Sequence, residues 1–225
     1  MRYYPVFLKL VGKSALVVGA GEVGKRKIRA LLDSGVGSLT IVDSCPADDS
    51  LQKIAKDPRV FFNCRSFDES DLEGVFLVLA CTSNEAVNRS ISEMCDARGI
   101  MCNIADQPDL CSFIVPASIR RGDLTLAVST SGKSPAMARR IRRELQDAFG
   151  DEYARLLVLL GELRPLMLGL GLPTKDNTAV FRALVNSTLL EEMRLHNLDG
   201  IEEILKQSLP RPLHDHIPEL LHGLA

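Results

Sequence analysis

The chain has 225 residues, of which 46% are hydrophobic and 25% are charged, and its formal net charge at pH 7 is −2. These values are typical of a soluble globular protein with one large domain or two small ones, and the near-neutral charge argues against general binding of nucleic acid. The apolar run at the start is too short for a signal peptide, and Glu162 and Arg164 interrupt the leucine-rich run from Leu156 before it could span a bilayer. We therefore expect a cytoplasmic protein that binds neither nucleic acid nor a membrane.

The first elements in chain order are a strand-like run over 14–18, a glycine-rich turn, a stretch with helical periodicity and a second strand-like run over 39–42. The turn reads Gly-Ala-Gly-Glu-Val-Gly over 19–24, which is the G-x-G-x-x-G spacing of dinucleotide-binding folds. In such folds the pyrophosphate lies on the amide groups at the helix N-terminus. The sequence therefore predicts a nucleotide site at this turn. The residues expected to hold the cofactor there are Gly19, Gly21, Glu22, Val23 and Gly24.

An acidic residue follows the second strand-like run. Asp43 comes about 20 residues after the turn, where a carboxylate can accept hydrogen bonds from the 2′- and 3′-hydroxyls of an adenosine ribose. A 2′-phosphate would be repelled there, so NAD is favoured over NADP as the cofactor. Ser44, which is next in the chain, and Thr82, which follows the fourth strand-like run, are further candidate cofactor contacts.

Three more strand-like runs follow, each apolar or β-branched with turn signals nearby. They cover 60–63, 75–80 and 101–104. A helix is predicted between the last two, because Asn84 can cap its start and Gly99 can end it. Strands that alternate with helices are typical of a doubly wound parallel sheet. The sequence therefore predicts an α/β, Rossmann-like domain over 1–111.

The pattern changes after the fifth strand-like run. Extended runs at 112–115 and 124–129 flank a turn, with no helix of ordinary length between them, which predicts antiparallel strands outside the main sheet. Ser134 followed by Pro135 then begins a helix. Two short strands and one helix bury little apolar surface alone, so 112–150 is predicted to be a small α+β dimerisation element.

From residue 151 onward the sequence is typical of helices. The first runs to about Arg164, where Pro165 stops it, and the second runs from about Asn177 to His196. A short helix follows. Residues 151–225 are therefore predicted to form a helical C-terminal domain.

Cysteine and histidine positions predict no metal site. The six cysteines contain no C-x-x-C pair, and several lie in apolar runs, so we expect reduced structural thiols. His214, Asp215 and His216 could bind a metal ion, although a solvated C-terminal segment is the more common explanation of such a cluster.

Candidate catalytic and substrate-binding residues follow the fifth strand and precede the helix at Pro135. Ligands of open parallel sheets bind beyond the carboxyl ends of the strands, and Asp106 follows the fifth strand directly. It could serve as an acid or base, or only organise the turn before Pro108. The segment 129–134 places hydroxyls and a lysine before a helix N-terminus, which suits an anionic substrate as well as simple capping. The arginines that follow suit a solvated helix face, an anionic substrate or a partner chain.

These segments, in this order, resemble the precorrin-2 dehydrogenase and sirohydrochlorin ferrochelatase family, which also forms the N-terminal part of the fused bacterial siroheme synthases. The resemblance covers about the first 145 residues. Its most specific parts are Cys102-Asn103 with Asp106, Ser-Phe-Ile-Val-Pro at 112–116, and the run from Ala127 to Ala136. Further matches lie at 4–10, 17–23 with Lys27, 80–82 and 87–88.

The resemblance implies NAD-dependent oxidation of precorrin-2 to sirohydrochlorin in siroheme biosynthesis, by a homodimer whose middle element makes the dimer contacts. The family associates the aspartate that matches Asp106 with catalysis. A tetrapyrrole that carries acetate and propionate groups would favour cationic and polar neighbours. The candidates for substrate binding are Asn103, Arg120, Ser129, Thr130, Ser131, Lys133 and Arg139.

Two alternatives remain open. Some family members also insert ferrous iron to give siroheme, and Asp106 would then take protons from the pyrrole nitrogens as the metal enters. A protein of another class, an NAD-sensing regulatory module, would bind the nucleotide without performing chemistry. A sensor has no need of an aspartate beyond the fifth strand, so the dehydrogenase is favoured.

Overall fold

The computed structural model describes residues 3–224. The chain divides into two compact units, and the boundary follows Val115. A five-stranded sheet lies in the first unit and a two-stranded sheet lies in the second, and both units contain helices. The predicted α/β, Rossmann-like fold with a helical C-terminal region is confirmed.

The five-stranded sheet is parallel, with the strand order β3-β2-β1-β4-β5. From β1 the chain first builds one side of the sheet and then returns to place β4 on the other side of β1. The switch point of the topology therefore lies between β1 and β4, where open α/β sheets bind their ligands. The strands are β1 (Ser14–Val18), β2 (Ser38–Asp43), β3 (Val60–Cys64), β4 (Leu77–Ala80) and β5 (Met101–Ile104).

Helices cover both faces of this sheet, which explains why the central strands β1 and β4 are almost entirely apolar and buried. The helices of the first unit are α1 (Glu22–Asp33), α2 (Asp49–Ile54) and α3 (Glu85–Arg98). Successive residues of β1 enter different cores: Val17 packs in a cluster with Ile28 of α1, whereas Leu16 packs in a second cluster with Ile91 of α3. This double burial fixes the carboxyl ends of the strands at one edge of the unit.

The second unit begins with an antiparallel hairpin of β6 (Ala117–Arg121) and β7 (Leu124–Val128), followed by α4 (Pro135–Ala148). Antiparallel strands outside the main sheet were predicted correctly, but the prediction of an extended partner run at 112–115 was wrong. Ser112 is not in a strand, because it bonds to Cys102 on the outer edge of β5 instead. The start of α4 was predicted correctly, and its N-cap Ser134 accepts a hydrogen bond from the Met137 amide at 3.2 Å.

Five more α-helices follow among the described residues of the second unit, and two of their predicted boundaries were wrong. They are α5 (Glu152–Gly169), α6 (Thr174–Val185), α7 (Leu189–Arg194), α8 (Leu198–Ser208) and α9 (Ile217–His222). Helix α5 continues through Pro165, because burial of Leu163 and Met167 on its inner face outweighs the backbone hydrogen bond that proline removes. The single helix predicted over 177–196 is two helices, since the Ser187 hydroxyl donates to the Leu184 carbonyl at 2.7 Å and interrupts the helical bonding.

Candidate nucleotide and catalytic site

The glycine turn joins β1 to α1 and lies directly against the chain that leaves β4. Gly19 has a φ of +91°, and its amide donates to the Val42 carbonyl at 2.8 Å. A Cβ atom at this position would lie 2.8 Å from the backbone of Cys81 and of Thr82. Only glycine therefore fits both the conformation and the close approach of the two backbones.

Asp43 at the end of β2 holds this turn in place. One of its carboxylate oxygens accepts from the Ala20 amide at 2.6 Å, and the other accepts from the Cys45 amide at 2.8 Å. Each carboxylate oxygen can accept a second hydrogen bond, so the group still has capacity for ribose hydroxyls. Asp43 thus has a structural role in the turn that sequence spacing did not predict.

A cavity of about 420 Å³ opens at the carboxyl ends of β1, β2 and β4. Five of the predicted cofactor contacts line it: they are Gly19, Gly21, Asp43, Ser44 and Thr82. A Cβ atom built at Gly21 would meet nothing within 4 Å, so space is open directly above the turn. The other three predicted contacts lie in the first turn of α1: Glu22 is exposed, Val23 is half-buried and Gly24 is buried beneath the turn.

The side chain of Glu22 is engaged within the protein. It accepts from Lys25 at 2.7 Å, and Lys25, which is only 6% exposed, also donates to Asp48 at 2.7 Å. The hydrogen bond that Lys25 donates to Asp48, and then the one that it donates to Glu22, raise the pKa of Lys25, so the ammonium stays charged. Since Asp48 also caps α2, the Lys25–Asp48 ion pair connects α1 to α2.

Thr82 lies at the opposite wall of the cavity and is held by α3. Its hydroxyl is 2.7 Å from the Asn88 side-chain oxygen, and the Asn88 amide nitrogen donates to the Thr82 carbonyl at 3.0 Å. Asn88 is only 3% exposed, so this pair fixes the chain that passes under Gly19.

Asp106 lies in the loop that follows β5, which covers residues 105–113 and is called the β5 loop here. It is exposed and has a φ of +60°, a left-handed conformation that only Asn, Asp and Gly adopt with any frequency. Burial raises the pKa of the nearby Cys81 thiol, and Lys27 lowers it while Asp106 raises it further. Asp106 and Lys27 are therefore both close enough to Cys81, directly after β4, to shift the pKa of its thiol.

Asn103, the other candidate of the first unit, is only 7% exposed. Its side-chain oxygen accepts from the Lys27 ammonium, and its amide nitrogen donates to the Phe113 carbonyl at 3.0 Å. Both polar ends of the amide are thus occupied within the protein. The geometry assigns Asn103 a structural position beneath the β5 loop.

The remaining substrate candidates belong to the second unit. The Ser129 hydroxyl accepts from the Ser131 amide at 3.1 Å, and the Thr130 hydroxyl accepts from the Ser134 amide at 3.2 Å. Ser131 has a φ of +52°, and Lys133 is exposed before α4. The serine and threonine hydroxyls therefore build the loop itself. Arg139 on α4 and Arg120 on β6 are exposed, and Arg120 also donates to the Gly122 carbonyl at 3.0 Å.

Two family models match the chain, one described as NAD(P)-binding over residues 6–117 and one described as sirohaem biosynthesis protein central over residues 121–148. The siroheme synthase of Vesicomyosocius okutanii is 36% identical over 167 residues, which are 73% of this chain and 35% of that protein. The siroheme synthase of Escherichia coli is 32% identical over 228 residues, which are 98% of this chain and 48% of that protein.

A solved structure named SirC, precorrin-2 dehydrogenase, superposes with a TM-score of 0.75 at 26% identity and covers 91% of this chain and 98% of that one. The chain belongs to the precorrin-2 dehydrogenase and siroheme synthase family. It spans about half or less of the length of the siroheme synthases that it matches. The region matched by the NAD(P)-binding family model includes the glycine turn and the β5 loop of this chain.

Two residues of this siroheme synthase homologue were missed as site residues by sequence reasoning. Lys27 and Asn88 were noted only as parts of the family resemblance, yet both fix polar groups at the carboxyl edge of the sheet. The sequence contained a signal for each of these two residues. Lys27 lies one helical turn after Gly24, on the face of α1 that packs on the sheet, and Asn88 interrupts the apolar face of α3.

Histidines and cysteines of this family member have ordinary structural surroundings. The His214 ring is 3.1 Å from the Leu209 carbonyl, and all six cysteines are free thiols. Residues 3–224 contain no group of three or more His, Cys, Asp or Glu side chains arranged to hold a metal ion. Within the same part of the chain, no helix has the length and apolar character needed to cross a membrane.

Proposed function

We propose that this protein is a cytoplasmic, homodimeric dehydrogenase of siroheme biosynthesis that oxidises precorrin-2 to sirohydrochlorin with NAD. The observation that carries the proposal is the cavity at the switch point of the sheet, with the glycine turn on one side and Asp106 at the neighbouring strand end. The names of the matched siroheme synthases and of the precorrin-2 dehydrogenase structure support the same substrate. In the second unit, the exposed cations Lys133 and Arg139 suit the carboxylates of a tetrapyrrole.

The residues of the cavity fit NAD. The open space above Gly21 and the backbone amides of the first turn of α1 suit a pyrophosphate, and Asp43 has lone pairs left for ribose hydroxyls. NAD bound in this cavity would supply the hydride acceptor for the oxidation of the macrocycle. The oxidation also releases one proton, and we assign its uptake to Asp106, a role that the exposure of this carboxylate supports. The protein otherwise contributes by holding cofactor and substrate in register.

The direct test mixes the protein with precorrin-2 and NAD and follows the nicotinamide absorbance of NADH. We expect NADH to form in proportion to the substrate consumed. Binding of NAD without any NADH would reject the dehydrogenase and support the nucleotide-sensing class. A parallel sample with sirohydrochlorin and ferrous ion measures whether the same protein also inserts iron.

Cofactor preference is the first prediction from this proposal. We expect kcat/KM with NAD to exceed that with NADP by about tenfold or more, because a 2′-phosphate beside the Asp43 carboxylate costs at least about 1.4 kcal/mol. Asp43→Asn keeps an acceptor for one backbone amide and removes the charge, so it should reduce the difference in kcat/KM between NAD and NADP. Asp43→Ser should reduce this difference as well. It should lower stability more than Asp43→Asn does, because the shorter side chain loses the hydrogen bonds that hold the glycine turn. Equal efficiency of the wild type with both cofactors contradicts the prediction, and Asp49→Asn on α2 is the control.

Dimerisation through the element over 112–150 is the second prediction. Helix α4 is strongly amphipathic, yet none of its residues is buried, and Met137 on its apolar face is 47% exposed. An apolar helix face left open in this way is stabilised when a second copy covers it. We expect sedimentation to show a dimer at micromolar concentration and Met137→Glu to shift it toward monomer. Asp147→Lys, a charge change on another face of α4, should leave the dimer intact, and a monomeric wild type contradicts the prediction.

A further inference from the structure

The β5 loop is attached to β5 by one backbone hydrogen bond, which the Ser112 amide donates to the Cys102 carbonyl at 2.9 Å, and otherwise by side chains. Strand β5 is an edge strand, so the amides on its outer side need partners from outside the sheet. The Cys102 amide donates to the Ser112 hydroxyl at 2.8 Å, and the Ile104 amide donates to the Cys111 sulfur at 3.1 Å. The returning end of the loop thus runs beside β5, and the chain between Ile104 and Cys111 forms a closed loop that carries Asp106.

Asn103 adds a third connection from the inner side. Its amide nitrogen donates to the Phe113 carbonyl, and its oxygen accepts from the Lys27 ammonium. A turned-over amide would face the ammonium with its own N–H groups and the Phe113 carbonyl with its oxygen, and both contacts would be repulsive. Lys27 therefore selects the one amide orientation in which Asn103 can hold Phe113.

Asp106 depends on these connections. Aspartate adopts the left-handed conformation more readily than most residues, but the conformation still costs free energy, and contacts of the surrounding loop stabilise it. These contacts are at the two ends of the closed loop, and one of them is fixed from α1. The Lys27–Asn103 hydrogen bond connects α1, the helix that follows the glycine turn, to β5, and Asn103 in turn bonds to Phe113 of the β5 loop.

We propose that Lys27 is a positioning residue for dehydrogenation: through Asn103 it keeps the β5 loop in the shape that presents Asp106 to the crevice. This inference rests on the proposed function for its effect on rate, and it makes a separate claim about loop order. Lys27 contacts neither the open cavity of 420 Å³ nor Asp106 by hydrogen bond among the described residues, so its effect should fall on kcat and spare cofactor binding.

The test compares Lys27→Met, Lys27→Arg and Arg26→Met in the full chain. Arg26 is the matched control, since it is an exposed cation on the same helix. We expect Lys27→Met to lower kcat by about tenfold or more while the Kd for NAD stays within about twofold. Lys27→Arg keeps a charged donor and should retain most of the rate, and Arg26→Met should match the wild type. In an Asn103→Ala background, Lys27→Met should add little, because the two side chains act as one unit.

The conformational order of the β5 loop can be measured independently of activity. Hydrogen–deuterium exchange at the amides of Ile104 and Ser112 should quicken in Lys27→Met and remain unchanged in Arg26→Met. Wild-type exchange and wild-type kcat in Lys27→Met would overturn the inference, as would equal losses in Lys27→Met and Lys27→Arg with unchanged exchange. If the wild type forms no NADH, the proposed function fails, and the exchange comparison still decides whether Lys27 orders the loop.

Discussion

Asp106→Asn should lower the rate of NADH formation by about 100-fold or more while NAD affinity and the unfolding temperature stay near those of the wild type. Asparagine adopts the left-handed conformation about as readily as aspartate and can make the same turn, but it cannot take a proton. The measurement is kcat by nicotinamide absorbance, with NAD affinity from equilibrium titration. Asp109→Asn, which changes an exposed acid on the same loop, is the control and should retain the rate.

Asp106→Ala separates mechanism from turn geometry. Alanine at a φ of +60° costs about 1–2 kcal/mol, so this variant should lose thermal stability in addition to rate. If Asp106 only shaped the turn, the alanine variant would lose stability and keep most of its rate per folded molecule. A fully active Asn variant would remove Asp106 from the mechanism and direct attention to the hydroxyls over 129–134.

Gly19→Ala should weaken NAD binding by about tenfold or more and lower the unfolding temperature. The new Cβ atom would lie 2.8 Å from the backbone of Cys81 and Thr82, and neither backbone can move without disturbing β4 or the Asn88 contacts. The turn would then shift away from the position that directs its amides to a pyrophosphate. Binding is measured by titration with NAD, and stability by thermal unfolding.

Gly12→Ala is the matched control for this variant. Gly12 also has a positive φ, +73°, but a Cβ atom built there meets nothing within 4 Å. It should therefore lose only the conformational term, about 1–2 kcal/mol of stability, and keep its affinity for NAD. Equal NAD affinities for Gly19→Ala and the wild type would show that the turn does not approach the cofactor closely.

The sequence alone determined the architecture of the first unit, because its signals are local. Short apolar runs indicate the strands β1 to β5, and an N-cap residue and a final glycine mark the two ends of α3. Each of these signals lies within a few residues of the element that it predicts. Alternation of strands and helices then leaves a right-handed parallel sheet as the expected arrangement. The carboxyl edge of that sheet, with the glycine turn and Asp106 beside it, follows from the topology without any side-chain detail.

Tertiary structure decided the features that depend on burial or on contacts between distant parts of the chain. Pro165 lies inside α5 because packing of Leu163 and Met167 outweighs a local signal that normally ends a helix. Asp43 bonds to the Ala20 amide, and Lys27 bonds to Asn103, although neither pair is close in sequence. The sequence pattern shows which residues can be buried and which are charged. It does not show which polar groups will bond to each other, because those partners meet only when folding brings the strand ends together.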